Sequence, residues 1–159
     1  MYKEPGFSME TKPSTFDHDG TIDLSAEEQA TLRKGLEGLF DPHPTFKGVE
    51  IKSLDAKSVP LQVQDRIQAI GGNITSFSAV RIQHEIPLHK HTTDGEIYFG
   101  GNDGMITLLD ASRNEIGQFN LADNSFTLTT TGEWHGVKST NEKGSTFFGV
   151  KFTTKNQGE

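Results

Sequence analysis

From Val49 onward the sequence alternates short apolar runs with clusters of turn formers, at a spacing of roughly 8 to 12 residues that leaves no room for crossover helices. The runs predict strands over 49–54, 59–63, 66–70, 74–86, 95–100, 104–110, 116–121, 125–130, 134–138 and 145–153. Turns are expected at Gly71-Gly72-Asn73, Asp94-Gly95, Asp110 to Asn114, Asp123-Asn124 and Asn141 to Gly144. Many short strands joined by turns close into a sandwich or a barrel, so this part of the chain is all-β. The composition agrees, because 17 glycines and 11 phenylalanines punctuate and fill sheets better than helical bundles. A length of 159 residues suits one domain with a core of its own.

The segment before Val49 follows other rules. Residues 1–22, with Pro5, Gly6, Pro13 and Gly20 among scattered charges, hold no sustained period and are expected to form a flexible arm, one that could reach a partner subunit. Ser25 and Glu28 form a capping box, and Leu32, Leu36, Leu39 and Phe40 follow at helical spacing. These predict one N-terminal amphipathic helix over 26–40, inside a connecting unit of residues 23–48 that precedes a barrel over 49–154. Asp41-Pro42-His43-Pro44 ends the helix, since a residue before proline avoids the helical region. His18, between Asp17 and Asp19, reads as part of a solvated acidic turn, and His43, between prolines, as a surface residue. On the strand predicted at 74–86, His84 alternates in phase with Val80, Ile82 and Ile86, which places it inward, as a buried hydrogen-bonded residue rather than a substrate contact.

A formal net charge of −7 argues against nucleic acid as a partner, because such binding needs a clustered basic face. With no cysteine, any metal must be held by His, Asp or Glu. The first seven residues carry no apolar signal region, and no run approaches the ~18 apolar residues of a membrane span, so a cytoplasmic address without membrane contact is expected.

The densest chemistry lies between Ile86 and Gly100. His89 and His91 stand one residue apart, so in an extended strand they share a face while Lys90 points the other way, solvated or stacked. A turn at Asp94-Gly95 would bring a following strand back beside the first, with Glu96 over the same spot and Tyr98 on Glu96's face. Two nitrogens and an oxygen then converge, a donor set that suits a divalent first-row metal. A third imidazole, His135, is bracketed by Gly132 and Gly136, which turn the backbone tightly at the start of a strand.

His89-x-His91-x4-Glu96, followed by Gly132-x-x-His135 within Trp134-His135-Gly136-Val137, resembles the two motifs of the cupin superfamily over residues 74–153. That resemblance implies a double-stranded β-helix, a small jelly-roll barrel, with His89, His91, Glu96 and His135 as ligands of one divalent transition metal ion: iron, nickel, manganese or zinc. Gln83 replaces the glycine that usually opens the first motif, and Gly104 closes it one place late. Thr130, Asn124 and Ser139 replace the usual proline, glycine and asparagine of the second. The departures fall in turns and leave the ligands intact.

Three imidazoles and a carboxylate leave coordination positions open, as catalytic sites do. The expected function is therefore a metal-dependent enzyme acting on a small polar substrate by Lewis-acid and proton-transfer chemistry. Cupins include isomerases, epimerases, lyases and dioxygenases, and the resemblance does not choose among them. Tyr98 is the best-placed proton carrier, with Glu96 as a second; the bland account of Tyr98 is a barrel-filling aromatic. A metal's charge nearby is expected to pull the Tyr98 phenol below its free value of about 10. The competing reading is a non-catalytic metal- or sugar-binding module. A DNA-binding regulator is disfavoured, since one helix and an acidic chain supply no helix-turn-helix. The stretch from Leu108 to Phe119 and that from Gly144 to Lys151 resemble small cupins associated with surface-polysaccharide synthesis, which implies a carbohydrate-derived substrate. Open jelly rolls leave strand edges, and cupin-like barrels cover them by pairing two subunits, so a homodimer is expected.

Overall fold

The computed structural model of the chain describes residues 18–101, 103–122 and 124–154. In order they form β1 (Asp19–Thr21), α1 (Ala26–Gly35), β2 (Asp41–Pro42), β3 (Val49–Leu54), a 3-10 turn (Ala56–Ser58), α2 (Leu61–Ala69), β4 (Gly72–Ile82) and β5 (Glu85–Lys90). There follow β6 (Gly95–Phe99), β7 (Gly104–Leu109), β8 (Glu115–Leu121), β9 (Ser125–Thr129), β10 (Trp134–Ser139) and β11 (Ser145–Thr154). A seven-stranded sheet has the order β1-β9-β6-β11-β4-β3-β2, and a four-stranded sheet the order β5-β10-β7-β8. Pairing is antiparallel in both. This is the cupin-type double-stranded β-helix expected from the motifs.

Two cores follow from the alternation of side chains on the larger sheet. Between the sheets lie Val49, Val80, Ile82, Tyr98 and Phe147 from one and Ile86, Ile106, Leu121 and Val137 from the other. On the back of the larger sheet Phe77, Phe99, Leu128, Phe148, Val150 and Phe152 pack against Leu32 of α1 and Val63 and Ile67 of α2. Every residue of β6 is buried because one face meets each core. Among the described residues no helix is long and apolar enough to cross a membrane.

Several expectations change. Residues 61–69 are a helix, not the strands expected over 59–63 and 66–70. Val63 and Ile67 are one helical turn apart on the buried side, and their β-branched side chains imitate a strand in a short window. α1 keeps the capping box, with Glu28 N–H donating to Ser25 Oγ and Ser25 N–H to Glu28 Oε1, each at 3.0 Å. It stops at Gly35 rather than near residue 40, so Leu39 escapes the apolar stripe and is 91% exposed. Gly35 lies where a Cβ would stand 3.2 Å from Leu54, and Gly38 has φ +85°, a left-handed turn that carries the chain away. The strand expected over 74–86 breaks at Gln83-His84 into β4 and β5, so its alternation does not carry through and His84 is exposed. His18 is half-buried rather than solvated, its Nε2 lying 2.8 Å from Glu133 Oε2. Of the N-terminal arm, residues 19–21 pair as β1 with 125–127, while residues 1–17 lie outside the described residues.

Candidate metal centre

β5 and β10 are neighbours in the smaller sheet, and their register sets His135 directly opposite His89. The approach depends on Gly136, where a Cβ would stand 2.8 Å from the Ile86 carbonyl oxygen. The turn that delivers His135 also holds the His91 loop, since Gly132 N–H donates to the His91 carbonyl at 2.9 Å. Ligand atoms of His89, His91 and His135 thereby all lie within 4.8 Å of one another. His135 is fully buried and the other two half-buried.

Glu96 arrives from a different direction than expected. The turn at Asp94-Gly95 does not fold β6 back beside β5; it crosses from the smaller sheet to the larger one. Glu96 and Tyr98 therefore face the histidines across the barrel. Face-to-face sheets bring such groups together at side-chain reach, whereas hairpin neighbours would have set them side by side. Glu96 Oε1 lies 3.3 Å from His91 Nε2 and 3.8 Å from His135 Nε2, and it accepts the Tyr98 hydroxyl at 2.8 Å. Gly149 leaves the hollow that the carboxylate fills, since a Cβ there would stand 3.1 Å from Glu96 Oε2.

The protonation pattern fits a cation. Pro87's carbonyl, which can only accept, faces His89 Nδ1 at 2.8 Å, so Nδ1 carries the proton and Nε2 keeps its lone pair. Burial first, with the charges of the neighbouring imidazoles, brings His89 down to about 4, which leaves it neutral near pH 7. His91 Nε2 and His135 Nε2 are buried with no hydrogen-bond partner, their approaches to Glu96 lacking hydrogen-bond alignment. Orphaned buried nitrogens are costly, and a divalent ion between them and the carboxylate would satisfy all three at once. Burial alone would raise the Glu96 carboxyl. The His135 and His91 imidazoles and the Lys151 charge outweigh it and hold the group below the usual carboxylate range. The Tyr98 phenol, by contrast, stands well above its ordinary value, through burial, the Glu96 charge and its hydrogen bond to Glu96. The lowering expected for it requires a metal's charge to outweigh those three effects.

Around this cluster lie residues with no motif of their own in the sequence. His43 packs its ring 4.9 Å from Phe46, and Phe46 packs 4.9 Å from His89, so the turn after β2 forms part of the rim. Lys151 stands opposite Glu96 in the β6–β11 register. Its parity with Phe147 and Gly149 was readable in the sequence; the register that sets it beside Glu96 was not. Lys90 stacks over Trp134 at 5.3 Å, on the outer face as expected. A cavity of about 650 Å³ between α1 and the Gly100-Gly101 turn holds none of these groups, and chemistry rather than volume marks the histidine cluster as the site.

No family model matches the sequence, and no curated protein matches it. Among solved structures, an oxidoreductase of the 2OG-Fe(II) oxygenase family from Burkholderia pseudomallei is similar with a TM-score of 0.62 at 11% identity, over 86% of this chain and 84% of its own. KdgF from Halomonas sp. gives a TM-score of 0.47 at 11% identity, over 74% of this chain and 91% of its own. An oxalate decarboxylase from Lactobacillus farciminis, in a formate complex, gives 0.47 at 18% identity over 72% of this chain; the chain spans 31% of that protein's length. At 11% identity the likeness to the Burkholderia protein is one of fold.

Proposed function

We propose that the chain is a metal-dependent cupin enzyme acting on a small polar organic substrate, with His89, His91, Glu96 and His135 as ligands and Tyr98 as proton carrier. The observation that supports it is the pair of buried, unpartnered Nε2 atoms of His91 and His135, aimed with a carboxylate oxygen at one point inside the barrel. A bound divalent ion would supply Lewis acidity toward a carbonyl, carboxylate or vicinal diol. The chain's own part is proton handling. The Tyr98 hydroxyl, 2.8 Å from Glu96 Oε1, would hand its proton to a substrate oxygen and recover one from the substrate. Phe147, edge-on to Tyr98 with ring centroids 5.5 Å apart, fixes the ring. A carbohydrate-derived substrate, with its paired hydroxyls and carbonyl, suits such a centre.

The test is metal analysis of protein purified without chelators and then offered iron, nickel, manganese and zinc in turn. Binding of one of them at micromolar concentration, largely lost in His135→Ala, is the expected result. Absence of binding to all four would end the metal reading. A non-catalytic binding module is the second reading, favoured by the raised Tyr98 phenol, which a purely structural tyrosine would share.

A further inference from the structure

β11 presents Phe147, Gly149 and Lys151 to the barrel interior in turn, and its pairing with β6 sets Gly149 opposite Tyr98 and Lys151 opposite Glu96. Directly opposed residues of an antiparallel pair share a face. Lys151 therefore extends from the wall that carries Glu96 and Tyr98, and it is half-buried. No ion pair or hydrogen bond engages its ammonium among the described residues, and Glu96 spends its contacts on His91, His135 and Tyr98 instead. A half-buried ammonium that no described residue engages, inside a barrel, is the arrangement of a group kept for an anion.

His43 adds a second donor. Its Nδ1 accepts the backbone N–H groups of Thr45 at 3.0 Å and Phe46 at 3.2 Å, so the ring proton resides on Nε2. The ring packs on Phe46, which in turn packs on His89, and after burial the Lys151 and Glu96 charges are what act on it.

We propose that Lys151, with His43 Nε2–H as a second donor, makes the barrel a carboxylate-recognition site, so that the substrate is a small organic acid. Its carboxylate sits against the Lys151 ammonium while the rest of the molecule reaches toward Tyr98, Glu96 and the histidines. The inference rests on the histidine cluster being the reaction centre, and it narrows the substrate from any small polar molecule to an anionic one. Of carbohydrate-derived molecules it selects the sugar acids over neutral sugars.

Calorimetric titration tests this with glycolate, pyruvate, malonate and galacturonate, each beside its neutral counterpart: glycolamide, pyruvamide, malonamide and galactose. At least one acid should bind about tenfold or more tightly than its counterpart, the range of one charge-assisted hydrogen bond. Lys151→Met should erase that preference and Lys151→Arg should keep most of it, with thermal melts showing both variants folded. Acids and neutral counterparts binding alike, no acid binding, or a preference surviving in Lys151→Met would each overturn the proposal. The wild-type comparison decides even if Lys151→Met fails to fold. Metal content measured on the same samples separates the two readings: metal bound with no acid preference sinks this proposal alone, and Lys151-dependent acid binding without metal sinks only the metal centre.

Discussion

Glu96 is the residue on which the centre turns, since one of its oxygens faces two imidazoles and a phenol while the other rests in the hollow above Gly149. A methyl group at that position would stand 3.1 Å from Oε2, so Gly149→Ala should displace the carboxylate by a few tenths of an ångström. Metal affinity is expected to fall roughly tenfold, the lower end for loss of support to a ligand, with little change in melting temperature. Unchanged affinity by competition with a chromogenic chelator would show that Glu96 is not a ligand. Tyr98→Phe keeps the ring and its contact with Phe147 but deletes the donor to Glu96. Metal content and acid binding should persist while turnover drops by roughly 10² to 10⁴, the effect of one lost general acid or base. Retention of full turnover would return Tyr98 to a packing role and shift weight to the binding module.

At the scale of elements, Glu28 ties the two helices together. One carboxylate oxygen closes the capping box on Ser25 and the other accepts Leu61 N–H at 2.8 Å, at the first turn of α2. The Leu61 N–H first, then those of Ser25, holds the Glu28 carboxyl below its ordinary value of 4.5 against the opposing effect of burial. A carboxyl whose folded value is depressed stabilises the fold above its unfolded value, and that contribution is lost as pH falls through the folded one. Glu28→Ala should therefore cost about 1 kcal/mol at neutral pH, the usual worth of a cap. The deficit relative to wild type should shrink as pH drops below 4.5. Thermal melts of both proteins between pH 3 and pH 7 would check it; a deficit that grows on acidification has the wrong sign for this account.

For the whole molecule the sheet edges left among the described residues matter. β1 and β2, the edges of the larger sheet, are three and two residues long and poor templates for another strand. In the smaller sheet β5 carries Pro87, which cannot donate to a ladder, while β8 is seven residues long and free of proline. A homodimer joined edge to edge through β8 is the expected assembly. Sedimentation equilibrium should give twice the 17.5 kDa chain mass, with β8 amides losing protection on dilution. A single species of 17.5 kDa at tens of micromolar would exclude the dimer.

What the sequence determined by itself was the barrel class, most strand positions, the capping box of α1 and the histidines, because strand alternation, capping and His-x-His spacing are all local patterns. It misread residues 61–69, where β-branched residues at helical spacing imitate a strand, and it carried the alternation through His84, where the strand breaks. Only the tertiary structure decided that Glu96 faces the histidines from the opposite sheet rather than from a hairpin partner. It alone placed Lys151 beside Glu96, and His43 on the rim by way of Phe46. The physical reason is that the side-chain period of a strand tells which residues share a face. Which strand lies opposite is settled by the register of pairs far apart in the chain and by the packing of two sheets on one core.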